Sequence, residues 1–164
     1  EIIDKQPSMD EGLFYYIMHR DGTLFDQPGL IPLDEDQYMI NLSKPNWYYL
    51  FLGYPATFLC QLYQYDPSNE GIREAVMKLL DWLEPNEYVY QSKWSVEVLE
   101  AAIEVSKASG GIDRYDVMAE KIASNLIANQ NPDGTFYNPT DIDNTWPGTT
   151  AEIALVLHQY SLLT

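Results

Sequence analysis

Cysteine, histidine and basic side chains are all scarce in this 164-residue chain, and each shortage removes a class of function. The single Cys60 cannot close an intrachain disulfide, so nothing marks an oxidising compartment and a cytoplasmic setting is expected. Nine Lys and Arg stand against twenty-five Asp and Glu, a net charge of −16, and no basic run interrupts the acidic surface. Such a field repels phosphate backbones and anionic lipid heads, which excludes nucleic acid as an expected partner. The longest uncharged stretch, Asn46 to Tyr65, contains Gly53-Tyr54-Pro55 and amides at Asn46, Gln61 and Gln64. A buried helix is expected there, not a membrane span. The chain opens on Glu1-Ile2-Ile3-Asp4, with neither an initiator Met nor the regions of a signal peptide, and reads as a cut end.

What is present is apolar and aromatic. Hydrophobic residues make up 46% and aromatic residues 13%, with thirteen Tyr, enough to build a packed core and to exclude disorder. Residues 1–45 have a β character: Leu13 to Met18 is a β-rich run, and Asp21-Gly22 before Thr23-Leu24-Phe25 signals a hairpin with a type I′ turn. Pro28, Gly29, Pro32 and Pro45, with Asp34-Glu35-Asp36 between them, make an extended connection. Residues 46–164 follow a helical period and form one domain with that segment.

Punctuation divides the helical region into five helices. The first runs from Trp47 to Tyr65 and ends at Asp66-Pro67; the second is capped by Ser68 and stopped by Pro85. Ser92 caps a third that closes at Gly110-Gly111, Asp113 opens a fourth, and Thr149 to Glu152 has capping-box spacing for a fifth, with Pro147 in the first turn. Helices two and four are amphipathic, whereas one, three and five are apolar nearly all round and are expected inside. Lys78-Leu79 with Leu83 aligns on Lys121-Ile122 with Leu126, 43 residues on, so the repeating unit is a helical hairpin. The expected fold is all-α: antiparallel hairpins of an α/α toroid, with a small N-terminal β-hairpin. Three inner and two outer helices are too few to close a ring, so a second chain or a further portion of chain is expected to complete it.

Leu126, Gln130, Gly134 and Phe136 stand at the spacing L-x3-Q-x3-G-x-F, followed by Asp141 and Thr150 to Leu155. This resembles the QW-type repeat of the terpenoid cyclase and prenyltransferase superfamily of α/α toroids, with Phe136 in place of the usual Trp. There the Gln and the aromatic residue tie an outer helix to the following inner helix. Asp141-Ile142-Asp143-Asn144 is similar to the D-x-D-D motif of class II terpene cyclases, except that Asn144 ends it. The resemblance implies Asp143 as a general acid, held neutral by burial, with Asp141 beside it. The zinc element of protein prenyltransferases is not matched at Cys60, and the aspartate-rich magnesium motif of class I enzymes is absent. Asn129, Asn131 and Asp133-Gly134 begin like a calcium loop, but Pro132 and Thr140 break the pattern, so neither metal nor cofactor is expected.

In a toroid the N-terminal ends of the inner helices gather at one mouth. That nominates Trp47, Tyr48, Tyr49 and Tyr54 from the first helix, Tyr90, Lys93, Trp94 and Glu97 from the third, and Asp141, Asp143, Trp146 and Glu152 from the fifth. Asp143, Asp141 and Glu97 are the candidate catalytic residues; Trp47, Tyr49, Tyr54, Tyr90, Trp94 and Trp146 are the candidate substrate contacts. Each has a structural alternative: Glu152 as the last member of a capping box, Glu97 as an ion-pair partner of Lys93, the rings as core. His19 and His158 fit structural or surface roles, and Cys60 fits a small buried hydrophobe. Aromatic rings with acids suit acid-initiated chemistry on a hydrophobic small molecule by a cofactor-independent cyclase, isomerase or lyase. The same wall suits a carbohydrate-active toroid, and a helical scaffold that binds a protein is the non-enzymatic alternative.

Overall fold

The computed structural model describes residues 6, 9–26, 34, 38–43, 50–111, 113–136 and 147–163. It is mostly helical, with a two-stranded antiparallel sheet. Strand β1 (Leu13–Tyr15) pairs with β2 (Met39–Asn41), Phe14 opposite Ile40. The Gln6 side-chain amide donates to the Tyr15 carbonyl and accepts from its N–H, both at 2.8 Å, and so completes the outer edge of β1. The run that begins in β1 changes partners: Tyr16 N–H donates to the Tyr38 carbonyl, whereas Phe25 N–H donates to Ile17 and a bridge joins Met18 to Leu24. The turn between them is not type I′. Gly22 N–H donates to the His19 carbonyl and only Gly22 has a positive φ, which gives a type I turn closed by a left-handed glycine. Asp21 is kept out of the left-handed region because its Oδ1 accepts from both the N–H and the hydroxyl of Thr23.

The helices are α1 (Leu50–Tyr65), α2 (Glu70–Leu83), α3 (Val96–Ser109), α4 (Asp113–Ala128) and α5 (Pro147–Ser161). Pro67 ends α1 by disfavouring helical geometry at Asp66. The second helix is entered from Asn69, which makes no side-chain cap, and Ser68 instead donates to Asp66 Oδ1, correcting the expected cap. Ser92 does cap: its Oγ accepts from Trp94 N–H at the start of a 3₁₀ turn that feeds α3. Gly110, at φ 70°, closes α3, and the N–H groups of Gly110 and Gly111 both donate to the Ser106 carbonyl.

These helices pack in two layers. In one, α3 lies between α1 and α5; in the other, α2 lies against α1 and α3, and α4 against α3 and α5. The repeat seen in the sequence is real in packing, since Leu79 and Leu83 of α2 and Ile122 and Leu126 of α4 are all buried. Tyr115, fully buried at the start of α4, donates to Asp81 of α2, which also accepts from Arg114. The sheet covers α2, with Phe14 5.8 Å from the Trp82 ring and the indole N–H donating to the Met9 carbonyl.

Of the three helices expected inside, α3 is the most enclosed. Val96, Val98, Leu99, Ala101, Ala102, Ile103 and Val105 are all buried, each of the larger ones contributing about 1.5–3 kcal/mol. The expectation that α1 and α5 are equally enclosed is overturned. Each buries one side, Leu52, Ala56 and Cys60 on α1 and Ile153 and Val156 on α5. The opposite sides are open: Phe58 is 62% and Leu155 58% exposed. With neighbours on only one flank of the layer, the two outer members cannot bury the rest of their apolar surface.

The tightest joint is between α1 and α3. A Cβ built on Gly53 would collide with the Cβ and carbonyl carbon of Glu97, so α1 reaches this distance only because position 53 has no side chain. Gly53→Ala is therefore expected to lower the urea-unfolding free energy by about 1–3 kcal/mol or more. Gly71→Ala, whose Cβ meets nothing closer than 3.5 Å, is the control and should be neutral or stabilising. Equal effects of the two changes would show that the α1–α3 contact is looser than described.

Candidate active site

Helix direction follows from two side-chain bonds within the layer of α1, α3 and α5. Tyr54, near the start of α1, donates through its hydroxyl to Glu152 Oε1 on α5 at 2.9 Å, while Gln64, near the end of α1, donates to Glu104 on α3 at 2.9 Å. Glu97 at the start of α3 and Glu152 in the second turn of α5 both act on Tyr54, so α1, α3 and α5 run the same way. Their N-terminal ends converge. Tyr54, Glu97 and Glu152 from the expected mouth are thus brought into one cluster.

Glu97 is the unusual member. It is only 2% exposed, and neither carboxylate oxygen makes a hydrogen bond of normal geometry. Two opposing effects act on it. Its place in the first turn of α3 favours a negative charge by about 0.3–1 kcal/mol, but burying an unpaired carboxylate costs several kcal/mol. Burial wins, and with the nearby Glu152 carboxylate it holds the Glu97 pKa far above the ordinary value of 4.5, against a smaller opposite pull from Tyr54. Glu97 therefore keeps its proton to a higher pH than an ordinary glutamate. Glu100, one turn on, is raised for the same first reason and by its acidic neighbours Glu104 and Glu152. Desolvation and the bond to Glu152 keep the Tyr54 phenol firmly protonated.

The cluster sits on the face of α1, α3 and α5 that turns away from α2 and α4. Tyr54, Phe58 and Leu62 line it from α1, Glu97, Glu100 and Glu104 from α3, and Glu152 and Leu155 from α5. Lys107 is bonded to Glu104 at 2.7 Å and is the only Lys or Arg in these three helices. The result is an acidic stripe between two apolar edges.

Other nominated residues are placed elsewhere. Trp47, Tyr48, Tyr49, Asp141, Asp143 and Trp146 lie outside the described residues, as does the side chain of Lys93. Tyr90 is in a different neighbourhood: its hydroxyl donates to the Glu84 carbonyl, Lys121 lies 5.0 Å over its ring, and burial pushes its pKa up to about 12. Trp94 is half-buried in the turn that leads into α3. Glu152 is not a capping residue, because α5 begins at Pro147 and the carboxylate reaches across to Tyr54. Burial lifts the Cys60 thiol to about 12, with Glu104 adding to the effect, so it stays an unreactive packing residue.

The loop before α5 shows how the Gln130 motif works locally. Gln130 donates to the Gly134 carbonyl, Gly134 has φ 88°, and the N–H of buried Phe136 donates to Thr150 Oγ1 at 3.2 Å. The end of α4 is thereby tied to the first turn of α5. Asp133 accepts from the N–H and hydroxyl of Thr135, an Asp-Gly turn, and among the described residues no group of three His, Cys, Asp or Glu is placed to hold a metal. No helix among them is long and apolar enough to cross a membrane. Comparison with family models, curated proteins and solved structures gives no match to this chain.

Sequence reasoning missed the significance of Gly53. A glycine inside an apolar helical run marks close approach of another backbone, and that signal was present.

The raised Glu97 pKa fixes a pH dependence. Below its ordinary value of 4.5 the folded and unfolded states both carry the proton, and the site has no linkage cost. As pH rises from there through the raised value, the unfolded chain loses the proton first, so stability falls by up to about 1.4 kcal/mol per pH unit from this group. Glu97→Gln should remove that component. Urea unfolding of both proteins across this range is expected to show the variant gaining on the wild type as pH rises; parallel curves would contradict it.

Proposed function

We propose that this chain is a cofactor-independent catalyst of acid-initiated cyclisation, isomerisation or elimination on a hydrophobic small molecule. The observation that carries this reading is the buried Glu97, its pKa raised, beside Glu152, to which Tyr54 donates. Glu97 stores the proton and passes it to Glu152, which lies half-buried at the open face and delivers it to an alkene or epoxide, while Tyr54, whose hydroxyl donates to Glu152, positions that carboxyl. A carboxylate of the pair then takes a proton from the resulting cation, so the cycle is balanced. The exposed ring of Phe58 and the apolar edge of α5 suit a substrate without polar groups.

The same proposal extends the architecture. The parallel inner helices and the two layers fit part of an α/α toroid of the terpenoid-cyclase kind, with this face toward the ring's hollow and a further chain segment or second chain completing it. Asp143, with Asp141, enters this reading as a second acid ahead of α5, and Trp47, Tyr49 and Trp146 as further aromatic lining.

Incubation with a panel of linear polyprenyl alkenes and epoxides, followed by gas chromatography and mass spectrometry, tests it. A product of unchanged mass, or of mass lowered by a lost small fragment, is expected. Glu152→Gln and Glu97→Gln should each reduce kcat by about 10²–10⁴. Full turnover in both variants would remove the acid relay. Turnover of oligosaccharides instead would reassign the face to carbohydrate chemistry.

A further inference from the structure

At the end of α3 far from Glu97, a cleft of about 540 Å³ opens between the last two turns of α3, the first two turns of α4 and the end of α5. Small-molecule sites typically occupy about 300–1,000 Å³. Asp116 and Glu120 stand four residues apart on α4, so their carboxylates lie on one side of that helix and line the cleft together. Both side chains are exposed, so a ligand in solvent reaches them. Tyr160 joins them from α5: burial raises its phenol pKa, and Glu120 and Asp116 add to the effect. The rest of the wall is apolar, with exposed Val117 and Leu163 beside buried Ile103 and Ala119.

These oxygen groups are held but not neutralised. Buried Ser106 donates to Asp116 Oδ1, and a Cβ built on Gly111 would lie 3.8 Å from Oδ2, so the glycine leaves that second oxygen approachable. Among the described residues neither Asp116 nor Glu120 forms an ion pair, and the Tyr160 hydroxyl makes no hydrogen bond. Like charges at this helical spacing repel, a cost that an arriving cation removes. The C-terminal ends of α3 and α5 add negative potential, which the start of α4 offsets at Asp116 but not at Glu120, one turn further on. A divalent metal is the poorer match, since no group of three acidic, His or Cys ligands is placed for one among the described residues. An ammonium suits the donor pattern: its N–H groups can serve the two carboxylates and the phenol oxygen, while an apolar body covers Val117 and Leu163 and the Tyr160 ring.

We infer that the cleft lined by Asp116, Glu120 and Tyr160 is a binding site for a small organic ammonium with an apolar body, of the arylalkylamine class. It shares no residue with the Tyr54–Glu97–Glu152 cluster and lies at the other end of α3, so it goes beyond the proposed acid chemistry and does not depend on it.

Isothermal titration of the whole chain with phenethylammonium chloride, at neutral pH and low salt, tests this. Saturable one-site binding is expected, weakening as sodium chloride is added. Phenylethanol, which keeps the ring, and methylammonium, which keeps the charge, should each bind about tenfold or more weakly. Glu120→Gln and Asp116→Asn, both at exposed positions, should each weaken binding by about tenfold. Glu74→Gln removes an exposed acid of α2 outside the cleft and should leave binding unchanged, which separates the site from general attraction to an acidic chain. Lysine blocked at both ends carries the same head on a slimmer chain and should bind less tightly than phenethylammonium; equal binding would assign the cleft to a lysine of a protein partner and overturn the free-amine reading. Absence of saturable binding, equal binding of phenylethanol or methylammonium, or an equal loss in Glu74→Gln would overturn the inference.

Discussion

The approach of α1 to α3 at Gly53 is the constraint on which the site depends. Without a side chain at position 53, the backbone of one helix rests on Glu97 of the other, and the carboxyl is cut off from water. The packing of α3 is strong enough to impose this. Several apolar side chains at about 1.5–3 kcal/mol each outweigh the cost of burying one acid, which lowers that cost further by keeping its proton. Position, burial and protonation are thus one chain of cause. The functional group is a consequence of where two helices touch.

The layer arrangement gives the site its surroundings. Helices α2 and α4 cover one side of α3, and α1 and α5 flank it, and the side left over carries Glu97, Glu100 and Glu104. Parallel inner helices then align their starts, which brings Tyr54 and Glu152 over that face from opposite edges. The apolar residues left open on α1 and α5, Phe58 and Leu155 among them, frame the acids with hydrophobic surface. An acid in such a setting differs from one of the many exposed carboxylates elsewhere on this chain, because the low dielectric around it makes each change of charge energetically large.

Much of the fold was legible because periodicity and punctuation are local. Pro67, Pro85 and Gly110 stop helices through backbone sterics that no distant contact alters, and the buried Leu79–Leu83 and Ile122–Leu126 pairs show in the sequence as a repeat. The errors came where one local option competes with another. Asp21 accepts from Thr23 and so takes a negative φ, Ser68 turns to Asp66, and Glu152 leaves its own helix terminus for Tyr54. Apolar composition also misled at α1 and α5, because it reports what a helix would bury, not whether a neighbour is there to bury it. At the site, the structure brings Tyr54, Glu97 and Glu152 of the nominated residues together, while Tyr90 went to the α4 side with Lys121. No sequence pattern marks a carboxyl as protonated; that depends on the depth set by a glycine forty-four positions away.

The central claim is that Glu97 keeps its proton beyond the range of an ordinary glutamate because Gly53 lets α1 seal it. Carbon-13 NMR titration of side-chain-labelled glutamate, with Glu97→Gln to assign the resonance, measures this directly. The expected result is a Glu97 carboxyl shift that changes at distinctly higher pH than an ordinary glutamate's. A resonance that titrates with the other glutamates, near the ordinary carboxylate value, would contradict the account.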